Sequence, residues 1–82
     1  MKNVLITGAT GGIGSAIAKA FAQNGYNVAL HTFSKPDEAK KKAEELCGNF
    51  GIKTFAVQAD VSKENEVLAM FKALENDFGK ID

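Results

Sequence analysis

Short apolar runs alternate three times with helical stripes along these 82 residues, and that alternation narrows the possible folds more than any other feature. Asn3 to Thr7 (NVLIT) is apolar without alternating, as expected of a strand buried on both faces. From Gly12 to Asn24, Ile13, Ile17 and Phe21 recur every four residues with Ala16 and Ala20 beside them, which predicts one buried helical face, and Gly25 is a natural stop. Asn27 to Phe33 is β-branched and aromatic enough for a second strand. Pro36 opens a second helix with Asp37 and Glu38 in its first turn, where the helix dipole favours negative charge. Its buried stripe is Ala39, Ala43, Leu46 and Phe50, with Gly48 and Gly51 punctuating the end. Lys53 to Ala59 predicts a third strand. Ser62 is placed to cap a third helix with Val67, Phe71, Leu74 and Phe78 on its apolar face, and Gly79 ends it. Lys80-Ile81-Asp82 reads as the run-in to a fourth strand.

The order βαβαβα implies crossover connections and a parallel sheet. Right-handed crossovers place the strands in the spatial order 3-2-1, with helices on both faces. The fold class expected is therefore α/β: a three-layer, partial Rossmann fold that stops before its fourth strand. Residues 1–82 would form the N-terminal part of a nucleotide-binding domain.

The connection after the first strand is TGATGGIG, Thr7 to Gly14. Glycine loses more backbone entropy on folding than any other residue, so four in eight positions require a reason. The opening turn of a helix leaves backbone N–H groups unpaired and carries partial positive charge, and a pyrophosphate can accept those bonds if no side chain blocks it. Gly8 would turn the chain off the strand, Gly12 would admit the phosphates, and Gly14 would let helix and strand pack closely. The spacing differs from G-x-G-x-x-G, and a tight βα turn without a ligand is the alternative.

Composition excludes several classes. Net charge is zero, which gives no electrostatic case for nucleic acid or an acidic membrane. Lys40-Lys41-Lys42 is followed by Glu44-Glu45, as expected of a solvated helix face of mixed charge. The single cysteine, Cys47, has no neighbours at metal-ligand spacing and is expected to be a small, partly buried hydrophobe. No metal site is expected. The first residues do not read as a signal peptide and no apolar run is long enough to span a bilayer, so the expected location is the cytoplasm. No Gly-Lys-Ser/Thr follows the glycines, so a P-loop NTPase is excluded on chemistry.

T-G-x-x-x-G-I-G at the end of the first strand resembles the cofactor signature of the short-chain dehydrogenase/reductase family. Ala59-Asp60-Val61-Ser62 is similar to that family's A-D-V-S/T segment, and Phe78-Gly79-Lys80-Ile81-Asp82 to its F-G-R/K-I-D. Together the three segments span the chain, and they most resemble the 3-oxoacyl-carrier-protein reductases of the family. The resemblance implies a pyrophosphate loop of Gly8, Gly12, Ile13 and Gly14, with Thr7 and Thr10 as supporting polar positions. It also implies that Asp60 accepts from the adenine amino group while the Val61 N–H meets the ring. The alternative for Asp60 is an Asx turn or a cap contact before the third helix.

An acidic residue near the end of the second strand would bind the ribose 2′-hydroxyl and mark NAD. His31-Thr32-Phe33-Ser34-Lys35 has none, and Ser34 and Lys35 are placed to bind a 2′-phosphate, so NADP is expected, with NAD the alternative. Gly11 stands where NADP-preferring relatives often carry a basic residue, which argues the other way. His31, with no acid–base partner in view, is expected to be structural.

The family's Asn-Asn-Ala-Gly segment, catalytic serine and Tyr-x-x-x-Lys pair do not occur here. Tyr26 is followed four residues later by Leu30, so no catalytic residue is assigned. The resemblance implies a parent that transfers hydride between a carbonyl or hydroxyl and NAD(P), of which this chain holds the adenosine and pyrophosphate half and is itself inactive. The other reading is a non-catalytic half-Rossmann module, truncated or engineered. In both, the open first-strand edge is expected to drive self-association.

Overall fold

Every residue from Asn27 to Thr32 is buried, and the fold is built outward from this strand. The computed structural model describes residues 2–8 and 11–79. Its elements are β1 (Asn3–Ile6), α1 (Gly12–Gln23), β2 (Asn27–Thr32), α2 (Pro36–Phe50), β3 (Thr54–Gln58) and α3 (Glu64–Asp77). The sheet is parallel with β2 in the centre: Ile6 pairs with Leu30, and Leu30 with Ala56. This is the expected 3-2-1 order.

Alternation along β2 sends its side chains to two cores. Val28 and Leu30 meet Ala18 and Ala22 of α1, Ala43 of α2, Ile6 and Ile52. Ala29 meets Ala59 and the Met70, Leu74 and Phe78 side chains from the third helical segment. The helices therefore lie in two layers around the sheet, α1 and α2 on one face and α3 on the other. Fully burying a leucine or valine stabilises by roughly 1.5–3 kcal/mol, so Val28 and Leu30, both 0% exposed, anchor the first core.

Four expectations about burial are corrected. The inward face of α1 is Ala18 and Ala22 with Phe21 half-buried, whereas Ile13 is 81% and Ile17 43% exposed. The small alanines let the helix approach β2 closely, and the larger residues are left on a flank that no described element covers. β1 is not buried on both faces: only Ile6 is buried, and among the described residues β1 is an edge strand paired with β2. On α3, Met70 takes the inward place expected of Phe71, which is 42% exposed. Cys47 is exposed, since Leu46 and Phe50 occupy the inward positions of the last turns of α2.

α1 ends as its sequence requires. Gly25 adopts φ 82°, Tyr26 N–H donates to Phe21 O at 3.1 Å, and Gly25 N–H donates to Ala22 O at 3.1 Å. This is a Schellman closure, and its accompanying apolar contact is the edge-on Phe21–Tyr26 ring pair, 5.0 Å between centroids. Tyr26 is thus a packing residue.

Candidate nucleotide site

A parallel sheet brings the C-terminal ends of its strands to one edge, and the three loops that follow carry the expected site residues. Gly8 takes φ 62°, a conformation that side chains other than glycine's rarely adopt, and its carbonyl accepts from Gly11 N–H at 3.2 Å. The chain thereby folds back off β1 into α1. Gly11 is the N-cap, α1 starts without a side-chain cap, and no acidic residue stands in its first turn. A helix start of this kind presents donor groups and partial positive charge to an anion. Gly12 has neither a positive φ nor a neighbour within 4 Å of where a Cβ would stand. Among the described residues nothing crowds this position, so the fold they form does not itself require glycine there. Ile13 follows in the same turn, exposed, and Gly14 is half-buried. Thr10 lies outside the described residues.

The β2–α2 connection holds Ser34 and Lys35, both exposed. It is shaped by Thr32, whose Oγ1 accepts from the Lys35 N–H at 3.0 Å, and by Gln58, whose Nε2 donates to Phe33 O at 3.1 Å. The segment from Phe33 to Lys35 contains no carboxylate.

The β3–α3 connection holds Asp60 and Val61. Asp60 Oδ1 accepts from the Ser62 N–H at 2.9 Å and from the Ser62 hydroxyl at 2.6 Å. This is the Asx turn weighed as the alternative for Asp60, and it corrects the role of Ser62, which shapes the loop and does not cap α3; Lys63 is the N-cap. The Ser62 hydroxyl, then its N–H, hold the Asp60 carboxyl below its ordinary value; partial desolvation opposes them and Lys63 adds to them weakly. An ionised carboxylate is an acceptor only, as an adenine amino group requires. Both Ser62 bonds fall on Oδ1. Val61 is 56% exposed.

The ends of β2 and β3 and the start of α3 are tied together by His31, expected above to be structural, and by Glu66, which sequence reasoning did not single out. Ala59 N–H donates to Thr32 O at 3.1 Å, His31 Nε2 lies 2.8 Å from Ala59 O, and Asp60 N–H donates to Glu66 Oε1 at 3.0 Å. The only prior signal was Glu66 in the first turn of a helix, the place from which a glutamate reaches back to an upstream N–H. A groove of about 430 Å³ lies elsewhere, between α2 and the edge of β3, lined by Asp37, Lys40 and Glu44 among others, and contains none of the expected site residues.

The glycine turn and the parallel sheet order together define a partial Rossmann-type α/β unit. Residues 2–82 match the short chain dehydrogenase family. This chain belongs to that family. Over 81 residues it is 42% identical to the 3-oxoacyl-[acyl-carrier-protein] reductase FabG of Staphylococcus epidermidis, covering 99% of this chain and 33% of that protein. It is 46% identical to the sorbose reductase SOU1 of Candida albicans, covering 94% and 27%. An alcohol dehydrogenase from Thermococcus sibiricus, solved with 5-hydroxy-NADP, superposes with a TM-score of 0.92 at 43% identity, over 100% of this chain and 34% of that one. An L-sorbose reductase from Gluconobacter frateurii, solved with NADPH and L-sorbose, gives 0.90 at 33% identity, over 99% and 30%. The chain spans about a third of the length of the curated reductase it matches. Among the described residues no helix is long and apolar enough to cross a membrane, and no cluster of His, Cys, Asp and Glu could hold a metal ion.

Proposed function

We propose that this chain forms the adenosine- and pyrophosphate-binding part of an NAD(P)-dependent short-chain oxidoreductase that interconverts a carbonyl and a hydroxyl by hydride transfer. The observation that carries the reading is Gly12: a helix start with no side-chain cap, beside open space that a Cβ would enter. Gly8, Gly12, Ile13 and Gly14 border the pyrophosphate, Thr10 supports it, and Asp60 with the Val61 N–H meets the adenine. None of these residues is assigned a part in the chemistry at the nicotinamide; their proposed part is to bind.

The preferred cofactor is NADP. Ser34 and Lys35 are exposed at the end of β2 where no carboxylate would repel a 2′-phosphate. The NADP and NADPH bound in the similar structures support the same choice. Titration with NADPH, NADH and 2′,5′-ADP tests both parts. Tighter binding of the 2′-phosphorylated ligands is expected, equal or reversed affinities overturn the choice of NADP, and no saturable binding of any overturns the reading.

A second reading concerns assembly. Among the described residues β1 pairs on one side only, with Val4 and Leu5 half-buried, and α1 exposes Ile13 and Ile17. An unpaired apolar edge recruits another strand. The occupant proposed is a second copy of this chain, and light scattering that finds a monomer at high concentration would end the idea.

A further inference from the structure

We propose that His31 and Glu66 are positioning residues that clamp the Ala59–Asp60 peptide and so set how tightly the β3–α3 loop holds adenine; the inference rests on the nucleotide-binding reading above. The carbonyl of Ala59 and the N–H of Asp60 belong to a single peptide plane. His31 Nε2 lies 2.8 Å from that carbonyl and Glu66 Oε1 accepts from that N–H at 3.0 Å. One side chain comes from the central strand, the other from the first turn of α3. A peptide plane held at both ends cannot rotate without losing both bonds, and its orientation fixes where the Asp60 carboxylate and the Val61 N–H begin.

The His31 end is the stiffer one. His31 is 3% exposed and Ala59 3%, so water does not compete for the bond. A carbonyl oxygen only accepts, so Nε2 is the nitrogen that donates in this bond. Nδ1 is buried and has no hydrogen-bond partner among the described residues. An imidazole whose second nitrogen is left unsatisfied is poorly suited to a purely structural site, where an aliphatic side chain would avoid the cost. The cost is consistent with selection for the one bond that His31 does make.

The test compares pairs of variants of similar shape. His31→Gln retains an N–H donor near the position of Nε2, and His31→Met removes it at nearly constant length. Glu66→Gln retains the Oε1 acceptor and Glu66→Met removes it. In titrations with 2′,5′-ADP, each methionine variant is expected to bind about three- to tenfold more weakly than its glutamine partner, as the loss of one hydrogen bond implies. Equal affinity within both pairs overturns the inference alone. Failure of the unaltered protein to bind 2′,5′-ADP overturns the underlying reading and the inference with it. If His31→Met does not fold, the Glu66 pair decides together with ¹⁵N NMR of the unaltered protein: an Nε2–H tautomer of His31 is required, and an Nδ1–H tautomer overturns the proposal.

Discussion

The hydroxyl of Ser62 donates to Oδ1 of Asp60 across 2.6 Å, and the Ser62 N–H donates to the same oxygen at 2.9 Å. Both bonds favour the charged carboxylate, so the folded-state pKa lies below the ordinary 3.8. The sign of the linkage follows. A depressed pKa contributes stability that is present above 3.8 and lost as pH falls through the lower folded value. Ser62→Ala removes the larger of the two bonds, and the Asp60 pKa is expected to rise toward its ordinary value. An NMR titration of the Asp60 carboxyl checks this; an unchanged midpoint would show that the turn does not depend on the hydroxyl.

Gly12 separates stability from binding. Alanine is favoured over glycine in a helix by up to about 1 kcal/mol, and a Cβ at this place meets no atom of the described residues within 4 Å. Gly12→Ala is therefore expected to leave thermal stability unchanged or slightly raised, and Gly12→Val to weaken NADPH binding by roughly tenfold or more by occupying the pyrophosphate space. A variant that loses stability and keeps its affinity would reverse the assignment.

Asn27 links all three strands at the end of the sheet opposite the site. Its Nδ2 donates to Asn3 Oδ1 at 2.9 Å, and its Oδ1 accepts from Lys53 N–H at 2.9 Å. It is 8% exposed, so an apolar replacement strands two polar groups where water reaches poorly. Asn27→Leu is expected to cost about 2 kcal/mol, on the order of 10 °C in Tm for a domain of this size. Because the change is remote from the strand C-termini, 2′,5′-ADP affinity below the unfolding transition should hold. Calorimetry and titration on the same sample check both halves.

Much of this architecture was legible in the residues, for reasons that differ from place to place. The order and pairing of strands follow from alternating strand and helix periods, which are local. Pro36, Gly8 and Gly25 act through their own backbone preferences and stand where expected. The inward face of α1 was misread because Ile13, Ile17 and Phe21 outweigh alanines on any hydrophobicity count. Close helix–sheet contact selects small residues instead, and that depends on a neighbour the helix does not contain. Ser62 offered a cap by composition, yet its hydroxyl met a carboxylate two residues back before any helix N–H. The clamp on Ala59 joins His31 to a position 28 residues away, and no local pattern announces such a pairing.

The exposed flank of α1 yields the last prediction. Ile17 is 43% exposed and Ile13 81%, on a face of α1 that no described element covers. If a second copy covers this region, Ile17→Lys places a charge at the interface, where an unpaired charge is costly to desolvate. In the single chain the same lysine reaches water, so folding should be nearly unaffected, within about 0.5 kcal/mol for a surface change. The expected outcome is a lower apparent mass by light scattering at high concentration with an unchanged Tm. Ile13 also borders the proposed pyrophosphate, so Ile17 is the cleaner probe: its substitution should shift assembly and leave 2′,5′-ADP affinity alone. If Ile17→Lys instead weakens nucleotide binding with no change in mass, this flank serves the ligand and does not serve a second chain.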